Sequence, residues 1–118
     1  MKIRFVIGQT SVTATLDDSE ASRDFVSMLP LSLELKDLFN REKSGQLPRT
    51  MSEAGQRQYT YAIGDVVYWP PGPHVAVFYG QDGRTLREPG MIRLGAVDGS
   101  AEAFAAGSSV QVVIERAD

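Results

Sequence analysis

Ile3, Phe5 and Ile7 alternate with Lys2, Arg4 and Val6, and after Gly8-Gln9 the pattern resumes as Val12, Ala14 and Leu16 against Ser11, Thr13 and Thr15. A period of two on both sides of a short glycine-containing break predicts an antiparallel hairpin. From Asp17 the period changes: Ala21, Phe25, Met28 and Leu29 fall on one face at helical spacing, while Glu20, Arg23 and Asp24 point elsewhere. Asp17 or Asp18 is placed to accept the free N–H groups of the first turn, with Glu20 following Asp17 in a capping-box-like arrangement. Pro30 stops the helix. Leu31, Leu33 and Leu35 then alternate with Ser32, Glu34 and Lys36, which predicts a third strand almost without a loop.

The stretch from Asp37 to Gln58 is polar, with Gly45, Pro48 and Gly55 and few apolar residues. It reads as mostly loop, with a short strand around Gln46 to Arg49. A structureless stretch of this length is unusual in a compact domain and is often functional, so binding residues are sought there first. Tyr61, Ile63, Val66, Val67, Tyr68 and Trp69 read as a strand, Pro70-Pro71-Gly72-Pro73 forces a turn, and His74 to Tyr79 reads as the antiparallel neighbour. Gly80 to Gly90 is a polar loop. Ile92, Leu94 and Ala96 form another alternating set ended by Asp98-Gly99. Ser100 to Ala106 suits one or two helical turns capped by Gly107, and Val110, Val112 and Ile114 mark a last strand.

Strands outnumber helices and several have one apolar face, which suits a closed antiparallel sheet better than a parallel sheet covered on both sides. Closure also removes exposed edges. The fold class is therefore mainly β: a closed antiparallel barrel with one capping helix and one short helix. At 118 residues and with no internal repeat or linker, the chain is expected to form a single domain, 1–118, that folds without a partner.

Charge and composition narrow the partners. The formal net charge is −3, and the basic residues are scattered among acidic ones, so nucleic acid is not an expected partner. The absence of cysteine removes disulfides, thiolate metal sites and a cysteine nucleophile. The alternation of Met1 to Ile7 is unlike a signal peptide, and no apolar run approaches the roughly 20 residues of a spanning helix. A cytoplasmic protein without a membrane partner is expected.

Several segments, in order, carry a family resemblance: Met28-Leu29-Pro30-Leu31, Leu47-Pro48-Arg49, Gly64-Asp65-Val66-Val67-Tyr68-Trp69-Pro70-Pro71-Gly72, Val75-Ala76-Val77-Phe78-Tyr79, and Ile92-Arg93-Leu94-Gly95-Ala96-Val97-Asp98-Gly99. They span nearly the whole chain. The sequence resembles the small bacterial and archaeal cyclophilin-like proteins and, more distantly, the cyclophilin peptidyl-prolyl isomerases. The resemblance implies an eight-stranded barrel with helices across its open ends. It also implies a shallow groove on the outer wall, where true cyclophilins bind proline-containing peptides.

Rotation about an X-Pro bond faces a barrier of about 20 kcal/mol, and in cyclophilins an arginine donor on a strand weakens the amide. Arg49 is the basic residue that the resemblance places near that position, and it is the candidate catalytic residue of an isomerase. The match is partial: leucine and proline precede Arg49 where cyclophilins carry an aromatic and a histidine. No glutamine stands within Val75 to Phe78, and the Gln-Gly-Gly-Asp-type segment is missing. The candidate ligand-binding set is Arg49, Trp69, His74, Phe78 and Tyr79. Of these, Trp69 also suits packing across the barrel mouth, and one of Phe78 and Tyr79, on opposite strand faces, is expected in the core. His74, the sole histidine, cannot by itself build a usual metal site. No metal or other cofactor is expected, and neither a nucleophile elbow nor a phosphate loop is present.

Three functional readings follow. The first is a non-catalytic module that binds a proline-containing peptide or a small molecule in the groove. The second is a peptidyl-prolyl isomerase of low activity centred on Arg49. The third is an assembly role, with the chain a monomer or a weak homo-oligomer.

Overall fold

The computed structural model describes residues 1–118. Its first hairpin follows the alternation: β1 (Lys2–Ile7) pairs antiparallel with β2 (Thr10–Leu16) across Gly8-Gln9. Ile3, Phe5, Ala14 and Leu16 turn inward and are buried. The helix α1 (Glu20–Ser27) comes next, but its N-cap is Ser19, whose hydroxyl accepts from the Ser22 N–H at 3.1 Å. Asp17 and Asp18 are drawn away from that role by guanidinium groups, Asp17 by Arg93 at 2.8 Å and Asp18 by Arg23 at 2.6 Å. Glu20 likewise leaves the expected capping box to accept from the Ser52 hydroxyl at 2.8 Å. Ala21, Phe25 and Val26 bury the helix against the interior, and the buried Ser22 hydroxyl donates to the Leu94 carbonyl at 2.8 Å.

Seven further strands complete the sheet: β3 (Leu31–Leu38), β4 (Glu42–Gln46), β5 (Arg57–Gln58), β6 (Asp65–Trp69), β7 (His74–Phe78), β8 (Met91–Val97) and β9 (Ser109–Arg116). They run in the order β2-β1-β9-β3-β4-β7-β6-β8, and β8 pairs back onto β2 through Ala14 with Val97, Thr15 with Ala96 and Leu16 with Gly95. Eight strands thus close into the antiparallel barrel expected, and β5 adds two residues to β8 beyond the end of β2. Glycine is required at the seam: a Cβ on Gly95 would lie 2.2 Å from the Thr15 carbonyl oxygen and 2.6 Å from Leu16 Cα. No helix is long and apolar enough to cross a membrane.

Two apolar clusters form. The larger fills the barrel with residues such as Ile3, Phe5, Leu35, Val66, Tyr68, Leu94 and Ile114. The smaller lies on the outer wall over β6 and β7 and holds Tyr61, Val67, Ala76, Phe78, Leu86 and Met91. The short helix expected over Ser100 to Ala106 is a single 3-10 turn, Glu102–Ala105, whose Phe104 meets Phe5 edge-to-face at 5.2 Å inside the barrel.

The largest correction falls between Asp37 and Gln58. Instead of a loop with a strand near Gln46 to Arg49, the segment holds the end of β3, all of β4 and the short β5. β4 runs Glu42-Lys43-Ser44-Gly45-Gln46, with no aliphatic residue, yet it is an interior strand paired with β3 on one side and β7 on the other. Tertiary pairing overrides its weak strand propensity. The next strand is shorter than Tyr61 to Trp69 suggests. Ala62 to Gly64 form a turn, with Gly64 at φ 98 and the Ala62 N–H donating to Asp65 Oδ2 at 2.9 Å, so β6 starts at Asp65.

Candidate functional site

Alternation on three adjacent strands sorts side chains between the barrel interior and its outer wall. Glu42 and Ser44 from β4, His74, Ala76 and Phe78 from β7, and Val67 and Trp69 from β6 turn outward, matching the register that pairs Glu42 with Phe78, Ser44 with Ala76 and Trp69 with His74. Tyr61 stacks on Phe78 with ring centroids 4.0 Å apart, and Leu86, from the loop after β7, covers the same wall. Hydrogen bonds anchor that loop. The Tyr61 hydroxyl donates to Asp82 Oδ1 at 2.8 Å, Gln81 Nε2 donates to the Tyr61 carbonyl at 2.7 Å, and the Arg84 N–H donates to Asp82 Oδ1 at 2.9 Å.

Between the loop and the strand ends lies a pocket of about 180 Å³, half of its lining residues apolar: Leu38, Phe39, Trp69, Leu86 and Met91 stand with Arg41, Glu42, Ser44, His74 and Arg87. A wider depression over β3 and β4 shares Leu38, Ser44 and His74 with it. Glu42 is 1% exposed and Arg41 is 9% exposed. Arg41 Nε donates to Glu42 Oε2 at 3.1 Å and Arg41 Nη1 donates to Asp82 Oδ2 at 3.1 Å. The Arg41 guanidinium also lies 4.9 Å from the Phe39 ring centroid and 5.2 Å from that of Tyr61. Burial pushes the Glu42 carboxyl above its ordinary range, and Arg41 draws back only part of that shift. Burial also lowers the pKa of His74, which favours its neutral imidazole.

The rim of the pocket is held in an uncommon backbone conformation. Leu38 pairs with Glu42 across a three-residue connection, and within it the Arg41 N–H donates to the Leu38 carbonyl at 3.2 Å over Phe39 at φ 56 and Asn40 at φ 54, both left-handed. Asparagine tolerates this region; a phenylalanine there is a steric outlier. The ring so placed is 62% exposed at the pocket edge. Strained residues of this kind gather at binding sites, where the surrounding structure overrides their local cost.

Inside the barrel wall, directly behind this site, sits a second charged group. Lys43 is fully buried, with Nζ donating to Asp37 Oδ1 at 3.0 Å and to the Gly107 carbonyl at 3.1 Å. The Tyr79 hydroxyl also donates to Asp37 Oδ1. That bond and Lys43 hold the Asp37 carboxyl below its ordinary range, and burial beside Asp37 raises the Tyr79 phenol to about 12.

The five residues singled out in the sequence are dispersed. Trp69 and His74 face each other across the β6–β7 pair and line the pocket. Phe78 is fully buried beneath Tyr61, and Tyr79 packs against the interior cluster with its hydroxyl bound to Asp37. Both positions are thus occupied by the fold, rather than one being left free for a groove. Arg49 is not brought to the pocket: its guanidinium donates to Asp24 Oδ1 at 2.8 Å, to Ser27 Oγ at 3.1 Å and to the Thr50 carbonyl at 3.0 Å, against α1. Glu42, Arg41, Ser44 and Phe39 escaped the sequence reading because their segment has no apolar alternation. The available signal was Asn40, a residue suited to a tight turn immediately after the β3 alternation ends.

The sequence pattern of the Cyclophilin-like family matches residues 5–115. The chain belongs to the cyclophilin-like family. A hypothetical protein from Archaeoglobus fulgidus, solved in solution, shares the fold of this cyclophilin-like protein at a TM-score of 0.80, covering 99% of this chain and 95% of its own. The two are 20% identical, so the likeness extends to the fold alone. No curated protein matches the chain.

Proposed function

We propose that this cyclophilin-like protein is a non-catalytic binding module whose site is the outer-wall pocket between Trp69, His74 and the turn at Phe39. The observation that carries the reading is the meeting of apolar walls with a buried charged pair in one concavity, the usual composition of a small-ligand site. An isomerase centred on Arg49 has less support. Its guanidinium is engaged by Asp24 and Ser27, and an amide-weakening donor has to be free to reach the prolyl nitrogen.

Trp69 is the sole tryptophan and reports on the pocket directly. A screen of small molecules and short proline-containing peptides, read by Trp69 fluorescence and by thermal shift, is expected to yield ligands whose binding is lost in Ser44→Phe. That substitution fills the pocket from the outer face of β4. Ligands that bind Ser44→Phe as tightly as wild type would refute the site. Acceleration of proline-peptide isomerisation by wild type, abolished in Arg49→Ala, would replace a binding module with an enzyme.

A further inference from the structure

The Arg41–Glu42 pair leaves part of its hydrogen-bonding capacity unused. Glu42 is nine-tenths buried and more, and only its Oε2 has a partner in the protein, Arg41 Nε. Its other oxygen, Oε1, accepts from no protein group. Arg41 uses Nε on Glu42 and Nη1 on Asp82, and its Nη2 donates to no protein group. Both side chains line the same pocket. Neither atom is sealed from solvent, since the one enclosed side-chain polar atom without a partner is Arg57 Nη1 elsewhere; an open acceptor beside an open donor in one pocket marks the place where a ligand can take the bonds that water otherwise makes.

The charge of the site selects the kind of ligand. Arg41 is shared between the Glu42 and Asp82 carboxylates, and with Arg87 at the rim the four groups carry no net charge, so a ligand that brought a full charge would leave one of them or itself without a counter-ion. Arg87 at the rim would favour an anion, but the buried Glu42 carboxylate would repel one; a cation would meet Arg41 and Arg87. A neutral group that offers a carbonyl oxygen to an arginine N–H and an N–H to a carboxylate oxygen satisfies both. A primary carboxamide has that pattern. The rest of the ligand lies against Trp69, Met91, Leu86 and Phe39. A cavity of about 180 Å³ suits a body of roughly one aromatic ring, since benzene fills an apolar cavity of roughly 150 Å³.

We infer that the pocket binds a small-molecule primary carboxamide carried on a flat apolar body, with Glu42 accepting from the amide N–H and Arg41 donating to its carbonyl. The inference rests on the outer-wall pocket being the binding site and adds the class of ligand. It also separates this pocket from prolyl-peptide recognition, because a prolyl amide nitrogen has no N–H to give Glu42.

The test is a Trp69 fluorescence titration of the wild-type protein with benzamide, N,N-dimethylbenzamide, benzoate, benzamidine and a glutamine-bearing tripeptide. Benzamide is expected to bind at least about tenfold more tightly than each of the other four. Equal binding of N,N-dimethylbenzamide would overturn the inference, since no N–H would then be read. Tighter benzoate or benzamidine would do the same by showing that a charge is read, and a tighter tripeptide would overturn the small-molecule half. In Glu42→Gln, which keeps an acceptor in place, benzamide affinity is expected to stay within about threefold of wild type; in Glu42→Met it is expected to fall at least about tenfold. If benzamide fails while other ligands bind and are lost in Ser44→Phe, the carboxamide assignment falls and the pocket stands. If no ligand is sensitive to Ser44→Phe, both fall.

Discussion

The Lys43–Asp37 pair offers a sharp test because its two members differ in burial. Lys43 has no exposed surface, whereas the Asp37 side chain is 26% exposed. Asp37→Ala would leave the Lys43 ammonium with the Gly107 carbonyl and the Tyr79 ring, whose centroid lies 4.8 Å away, and no counter-ion. Breaking a buried pair from one side costs about 3–5 kcal/mol. Lys43→Met keeps an unbranched chain of similar length in the barrel and leaves Asp37 where water reaches it, still accepting from the Tyr79 hydroxyl and from the Asn40 N–H at 3.1 Å. That loss is that of charge-assisted hydrogen bonds, about 1.5–3 kcal/mol. Asp37→Ala is therefore expected to be the worse by about 2 kcal/mol, or about 8 °C in Tm for a domain of this length. The double variant Asp37→Ala/Lys43→Met is expected to be more stable than Asp37→Ala alone, since removing the orphaned cation relieves the larger penalty. Urea unfolding followed by far-UV circular dichroism measures all four proteins. A double variant less stable than Asp37→Ala, or a Lys43→Met variant more damaged than Asp37→Ala, would refute the reasoning.

Gly95→Ala is expected to cost about 3 kcal/mol or more, because its methyl group would have to displace the β2 backbone at the barrel seam; a urea midpoint near wild type would contradict this. Phe39→Asn is expected to leave stability unchanged or raise it by up to about 1 kcal/mol, because asparagine relieves the left-handed strain, and to weaken ligand binding at the pocket rim. Calorimetry with and without ligand checks both halves. Asp98 accepts from Lys2 at 2.7 Å, from Thr15 at 2.5 Å and from Thr13 at 2.8 Å, and these bonds lower its carboxyl to about 2. A folded-state pKa below the unfolded value gives stability that is present above about pH 4 and is lost as pH falls toward about 2. Asp98→Asn is expected to flatten the acid limb of the pH–stability curve in that window; an unchanged limb would show that Asp98 does not contribute to it.

The barrel was legible in the sequence because its other strands announce themselves. Ile3 and Phe5, Leu33 and Leu35, Val75 and Val77, and Val110 and Val112 are apolar at alternate positions, and seven of the eight barrel strands fall where that pattern places them. The pocket was half legible. Trp69 and His74 stand on either side of a Pro/Gly turn that fixes a hairpin, so their pairing follows from local chemistry. Arg49 enters the candidate set only through the family resemblance of the Leu47-Pro48-Arg49 segment, a partial match. Its actual partners, Asp24 and Ser27, lie more than twenty residues earlier on α1, and no local pattern joins them to it.

The remaining strand, β4, was hidden for a reason that also explains why the site is there. An interior strand normally contributes apolar bulk to the core, but at Gly45 that volume is already taken: a Cβ would lie 2.5 Å from Leu35 Cδ2 and 3.0 Å from the Glu34 carbonyl oxygen. Leu35, reaching across from β3, supplies the packing, and the other inward position is Lys43, held by Asp37 and Gly107 at the barrel mouth. Freed from the need for aliphatic residues, β4 carries charge on both faces. Its outward face then places Glu42 and Ser44 under Arg41 and beside Trp69, where β6 and β7 supply the apolar wall. A sequence test for apolar alternation rejects such a strand by construction, and the same polarity that hides it supplies the buried carboxylate that lines the pocket.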